Sequence, residues 1–225
     1  MPGPAWDVDD PGDALRIQAN ATTLTAALKA AALGRAPSQL TDILDWHRTL
    51  YLGCRVPVAG YVGALRGDTS VPDLIGYEVG LGPLSPDSLP EKVAVWSPGV
   101  AAQVNTLVTS LNRALSILDT KFAVGQRPST TADIHELLTL AAELHGEWLR
   151  IHPFANGNGR IARTLVTWLM LRYGMPPFLT VKPRPPDAAY LRAGRASMGR
   201  PPDFRGDHQV ATNVFVHMFS QMLQP

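Results

Sequence analysis

The chain has 225 residues, 45% hydrophobic and 17% charged, with a formal net charge of +1 and a single cysteine, Cys54. That suits one folded domain with a sizeable core, and it excludes a highly charged disordered chain, an internal disulfide, a cysteine-based zinc site and a broad nucleic-acid or membrane footprint. No apolar run reaches the ~18–20 residues of a membrane span, and "MPGPAWDVDDPGDALRIQ" lacks the basic-then-apolar order of a secretory signal, so the expected place of action is the cytoplasm.

In chain order, residues 1 to about 13 read as a flexible, Pro/Gly-rich lead-in. "ATTLTAALKAAALG" (21–34) is an Ala/Leu-rich helix closing on Gly34, and "SQLTDILDWHRTLYLG" (38–53) places Leu40, Ile43, Leu44 and Leu50 near one helical face. The texture then changes. Glycines at 60, 63, 67, 76, 80 and 82 flank short apolar runs, which predicts a β-hairpin with strands near 61–65 and 74–80. Helix returns at Trp96–Leu115, after which "TADIHELLTLAAELHGEWLRIH" carries Ile134, Leu137, Leu138, Ala141, Leu144, His145 and Trp148 at three- and four-residue steps. Ile161, Leu165, Val166, Leu169 and Met170 form a second stripe, stopped by Gly174 and Pro176–Pro177. "PDAAYLRAGRASMG" and "DHQVATNVFVHMFSQML" supply two more helices. The expected fold is all-α with one small β-hairpin. A lead-in and helix would occupy 1–39, the core 40–200, and a C-terminal helix packed on the core 201–225.

Between the two best-patterned helices lies "HPFANGNGRIAR". Gly157 and Gly159 permit a tight bend and a close approach to the main chain. A helix starts directly afterwards, and its first N–H groups and dipole favour an anion such as phosphate. Arg160 and Arg163 stand three apart, on one side of the first turn, with no acid near them in sequence. His152 is suited to accept a proton at neutral pH, and Phe154 to anchor the loop on the core. A phosphate site beside a base points to attack of a hydroxyl on phosphorus.

These residues resemble the signature of the Fic (filamentation induced by cAMP) domain, Fic/Doc superfamily: His, any, Phe, any, acidic, Gly-Asn-Gly-Arg, two residues, Arg. Every specified position matches except the acidic one, and the likeness spans roughly 40–200. It implies a protein adenylyltransferase that moves AMP from ATP to a Ser, Thr or Tyr hydroxyl of a target protein. His152 would be the general base. Gly157, Asn158, Gly159, Arg160 and Arg163 would bind the nucleotide's phosphates, and the hairpin at 60–80 would be a flap that docks the target by strand addition. The alternatives keep the fold and transfer another nucleotide, a phosphate or a phosphocholine group, or bind nucleotide or a partner without turnover.

Two departures follow. Asn156 stands where similar proteins place an Asp or Glu ligand for Mg²⁺, and a neutral amide implies weak Mg²⁺ binding, chiefly through the phosphates. In many similar proteins a helix bearing Ser/Thr, three residues, then Glu pairs that Glu with the residue matching Arg163. Glu occurs here only at 78, 91, 136, 143 and 147, none in such a segment, so either a separate antitoxin-like protein supplies an inhibitory Glu, or the enzyme is unregulated, or low activity from Asn156 makes inhibition unnecessary. Outside the motif, His145 reads as a packed or supporting residue, and His47, His135, His208 and His217 as incidental. "KPRP" (182–185) is too short for a recognition patch, and Trp46, Trp148 and Trp168 read as core.

Overall fold

The structure is a computed structural model that describes residues 2–79, 94–199 and 205–224. Seven α-helices are described: α1 (Ala14–Ala31), α2 (Leu40–Leu50), α3 (Ser97–Lys121), α4 (Thr131–Ile151), α5 (Asn158–Arg172), α6 (Ala188–Ser197) and α7 (Gln209–Met222). α4 and α5 form the central antiparallel pair. α1 and α2 pack on α5, whereas α3, α6 and α7 pack on α4.

α4 begins where Thr130 caps the N–H of Asp133, and Leu137, Ala141, Trp148 and Ile151 are wholly buried along it. α5 is enclosed on all sides, so its apolar residues are not confined to a stripe. Its polar members therefore need internal partners. Arg172 donates to Asp119 at 2.6 Å and to the Ala36 carbonyl at 2.7 Å, and Thr164 returns its hydroxyl proton to the Arg160 carbonyl. α1 starts seven residues before the expected Ala21, because Ile17 extends the buried series Ala21, Leu24, Leu28 by one turn.

The expected β-hairpin is not seen; no strand occurs among the described residues, and the run beyond residue 79 lies outside them. Through 58–77 the backbone closes successive three-residue turns instead. Tyr61, Ala64, Asp68, Val71, Leu74 and Tyr77 each donate to the carbonyl three positions earlier, so these N–H groups are unavailable to a ladder. Two of the turns are 3-10, Ala59–Tyr61 and Pro72–Leu74. Tyr61, Leu74 and Tyr77 turn inward from this coil.

Against this coil lies the amino-terminal segment, expected as a flexible lead-in and running instead as a strap over the core. Trp6 is 2% exposed. Its ring lies 4.6 Å from Tyr51 and 6.3 Å from Tyr61, burial that contributes on the order of 2–3 kcal/mol. The Trp6 N–H donates to Tyr77 Oη at 2.7 Å, Tyr61 Oη to the Pro4 carbonyl at 3.0 Å, and the Gly3 N–H to the Asp73 carbonyl at 3.0 Å.

Candidate active site

α4 ends on His152, whose backbone is left-handed (φ 53°). A non-glycine residue there is strained and persists only when its surroundings hold it. Arg66 does the holding. Its fully buried guanidinium donates to the carbonyls of His152 (2.7 Å), Ile151 (3.0 Å), Val95 (2.8 Å) and Tyr77 (3.2 Å), and to Glu78 at 3.3 Å. It thereby satisfies carbonyls that a helix end leaves free. Nothing in the local sequence around Arg66 marks it for this task.

His152 Nδ1 lies 3.2 Å from the Leu149 carbonyl. A carbonyl only accepts, so Nδ1 carries the proton and Nε2 keeps its lone pair. Burial, reinforced by the positive charge of Arg66, pushes the His152 pKa down to about 4, so the ring is neutral at pH 7. It lines a cavity of about 1060 Å³ together with residues 155–160 and Arg163.

The loop is pinned from both sides. Phe154 is wholly buried, stacked on His47 at 3.9 Å and tilted against Trp148 at 5.7 Å. The Asn158 side chain closes the bend, accepting from the Phe154 N–H at 2.9 Å and donating to the Phe154 carbonyl at 2.8 Å. Its amide therefore serves the loop, and only its main chain is left for a ligand. Gly157, the N-cap of α5, has φ 83°, and a Cβ there would meet Tyr51 at 2.9 Å and His47 at 3.1 Å. Gly159 is helical with ordinary clearance, so of the two glycines only Gly157 makes the bend.

His47 is not incidental. The Gly63 N–H donates to its Nδ1 at 2.9 Å, so Nε2 is the protonated nitrogen and donates to the Asn156 carbonyl at 3.1 Å. His208 is not incidental either, since its Nε2 meets Glu147 at 2.7 Å. His145 supports Arg163 through Tyr190: Arg163 Nη1 donates to Tyr190 Oη at 3.3 Å, and that oxygen lies 2.9 Å from His145 Nε2.

Burial pushes the pKa values of His47 and His145 down to about 3, so both are neutral when folded. Unfolded, each titrates near 6.5, and below that pH the unfolded chain binds more protons. Stability is complete above pH 6.5 and falls as pH drops towards 3. These two rings and His152, neutral for the same reason, are together expected to remove about 5 kcal/mol between pH 6.5 and 5, read from urea denaturation at each pH. A flat stability profile over that interval would contradict the neutral assignments.

Arg160 and Arg163, alike in sequence, differ in surroundings. Arg160 holds Asp9 of the strap in a two-point pair, Nη1–Oδ2 at 2.6 Å and Nη2–Oδ1 at 2.8 Å, and also donates to Tyr51 Oη. The acid absent from the local sequence thus arrives from 151 residues away. Arg163 has no carboxylate partner among the described residues: Nε and Nη2 donate to the Val181 carbonyl at 3.1 and 2.7 Å. Asn156 is engaged throughout, its Oδ1 accepting from the Gly157 N–H at 2.6 Å and its Nδ2 donating to Asp9 at 3.3 Å. Asn156 therefore offers a divalent cation only a neutral amide oxygen that already accepts from Gly157 and Arg160, and no group of three His, Cys, Asp or Glu side chains placed to hold a metal ion occurs among the described residues.

Asp9→Asn keeps the shape and removes the charge. It is expected to lower the unfolding free energy by about 1–3 kcal/mol, less than the ~3–5 kcal/mol of a fully buried pair because the Asp9 side chain keeps 19% exposure. Urea denaturation at pH 7 measures it, and an unchanged midpoint would show the pair to be dispensable.

A sequence profile described as the Fic/DOC family matches residues 37–170, more than half of the chain. The chain belongs to the Fic/DOC family. This Fic domain is 42% identical over 40 residues to "Uridine 5'-monophosphate transferase" of Xanthomonas campestris pv. campestris, 18% of this chain and 8% of that protein. It is 35% identical over 68 residues to "Protein adenylyltransferase Fic" of Drosophila virilis, 30% of this chain and 14% of that one. The matches thus span less than a fifth of the curated relatives' length. Among solved structures, a Fic domain containing signaling protein from Bacteroides thetaiotaomicron superposes with a TM-score of 0.61 at 20% identity, covering 91% of this chain and 69% of that one. The BepC protein of Bartonella tribocorum with bound AMPPNP gives 0.54 at 15% identity, covering 94% and 88%. These two likenesses show the fold. No helix among the described residues of this Fic domain is long and apolar enough to cross a membrane.

Proposed function

We propose that this Fic domain transfers AMP from ATP to a hydroxyl of a target protein. The observation that carries the reading is His152, its Nδ1 engaged by the Leu149 carbonyl, lining the same cavity as the amino terminus of α5 and Arg163. The α-phosphate would sit on the first N–H groups of α5, at Asn158 and Gly159, where the helix dipole favours negative charge. The target's O–H proton passes to His152 Nε2, its oxygen attacks the α-phosphorus, and the bond to the β-phosphate oxygen breaks with its electron pair. Pyrophosphate leaves. The negative charge of the donor beside His152 raises its proton affinity as the complex forms. Because Asn156 is fully engaged, no step is assigned to a protein-held metal.

The names of the adenylyltransferase relatives support AMP as the transferred group, and that of the Xanthomonas relative makes UMP the competing one. A target docking beside the 58–77 coil, and a separate inhibitor presenting a Glu to Arg163, belong to the same reading. The test is incubation with magnesium ATP and a cell lysate. Label from the α-phosphate is expected on protein, and label from the γ-phosphate is not. Label from the γ-phosphate alone would replace nucleotide transfer with phosphate transfer, and label from α-labelled UTP alone would change the donor.

A further inference from the structure

The cavity beside His152 has more positive charge than its motif accounts for. Arg160 is neutralised by Asp9. Arg163 is 4% exposed, and its donors meet only the neutral oxygens of Val181 and Tyr190. The loop between α5 and α6 brings two further cations to the same cavity, Lys182 (half-buried) and Arg184 (exposed). Neither makes a hydrogen bond or ion pair among the described residues. Arg184 is near enough to Arg163 for their like charges to oppose one another. Of the acids lining the cavity, Glu78 is committed to Arg66 and the Ser97 N–H, which leaves Asp7 against three unpaired cations.

A buried guanidinium facing two more cations is unfavourable until an anion joins them. Arg163 ties α5 to the α5–α6 loop through the Val181 carbonyl, so the three cations and the start of α5 line one cavity, where a chain of phosphates offers more anionic oxygens than a single phosphate. We propose that Lys182 and Arg184, together with Arg163, hold the outer phosphates of a nucleoside triphosphate, in place of the Arg160 that Asp9 occupies. The inference rests on the nucleotide-transfer reading and deepens it. The donor is a triphosphate, the leaving group is pyrophosphate, and its charge is met by the α5–α6 loop.

The probe is inorganic tripolyphosphate, which has the phosphates without the nucleoside, titrated calorimetrically into the full chain and into a Lys182→Ala/Arg184→Ala double variant. The wild type is expected to bind, more weakly as salt rises, and the double variant to bind about 10-fold or more weakly, since two charge-assisted contacts are lost. The variant's unfolding midpoint should match the wild type's, because neither side chain has a partner to lose. Equal affinities, or no binding to the wild type, would overturn the proposal. Failure of the transfer reading looks different: no α-label moves, while tripolyphosphate binds and the double variant loses it. Label transfer with an unchanged KM for ATP in the double variant would sink the phosphate site alone.

Discussion

His152→Ala is expected to lower the rate of α-label transfer by roughly 10²–10⁴-fold, the usual contribution of a positioned general base. The geometry makes this substitution informative. Among the described residues the ring makes one hydrogen bond, from Nδ1 to the Leu149 carbonyl, while the backbone at 152 is held by Arg66. Alanine therefore loses the base and leaves the turn in place, so the fold should survive, as a thermal melt would show. The pKa of about 4 adds a second readout. A base that is neutral throughout pH 6–8 gives kcat/KM no acid limb in that interval; protonation would reduce the rate only as pH falls towards 4. Transfer by the alanine variant within a few-fold of wild type would remove His152 from the mechanism.

Arg66→Met should show the largest loss of stability, about 3–5 kcal/mol, because it breaks a buried charge network and leaves Glu78 without its cation. Methionine fills much of the volume, so the loss reports on the hydrogen bonds more than on a void. The carbonyls of Ile151 and His152 lose their donor as well, and the left-handed turn that aims His152 loses its restraint. Transfer should therefore fall in the fraction that remains folded. Lysine is not expected to rescue it, since an ammonium cannot reproduce the fork that reaches four carbonyls and a carboxylate. Urea denaturation and the initial rate of label transfer measure the two effects. A change in stability below about 1 kcal/mol would show that these carbonyls find other donors.

The motif loop was legible because everything that shapes it is local. Phe154, Gly157 and Asn158 lie within five positions, and the helices either side advertise themselves by apolar residues at three- and four-residue steps. Residues 58–77 misled for a related reason. Glycines between short apolar runs suit a hairpin and a chain of turns equally, and which one forms depends on where Tyr61, Leu74 and Tyr77 find cover. Part of that cover comes from Trp6, whose ring lies against Tyr61 and whose N–H binds Tyr77 Oη from more than fifty residues away in sequence.

The same division runs through the whole molecule. Local patterning sets the helices, the bend at Gly157, the anchor Phe154 and the placing of His152 and two arginines around one turn, because backbone preference and helical period act over a few residues. Tertiary packing decides which arginine stays unpaired, which histidine nitrogen keeps its lone pair, and that His47 and Arg66 brace the loop. Those outcomes depend on Asp9, Gly63 and Glu78 meeting partners up to 151 residues distant, and charge pairing in a buried site follows proximity in space, for which no spacing along the chain is a proxy.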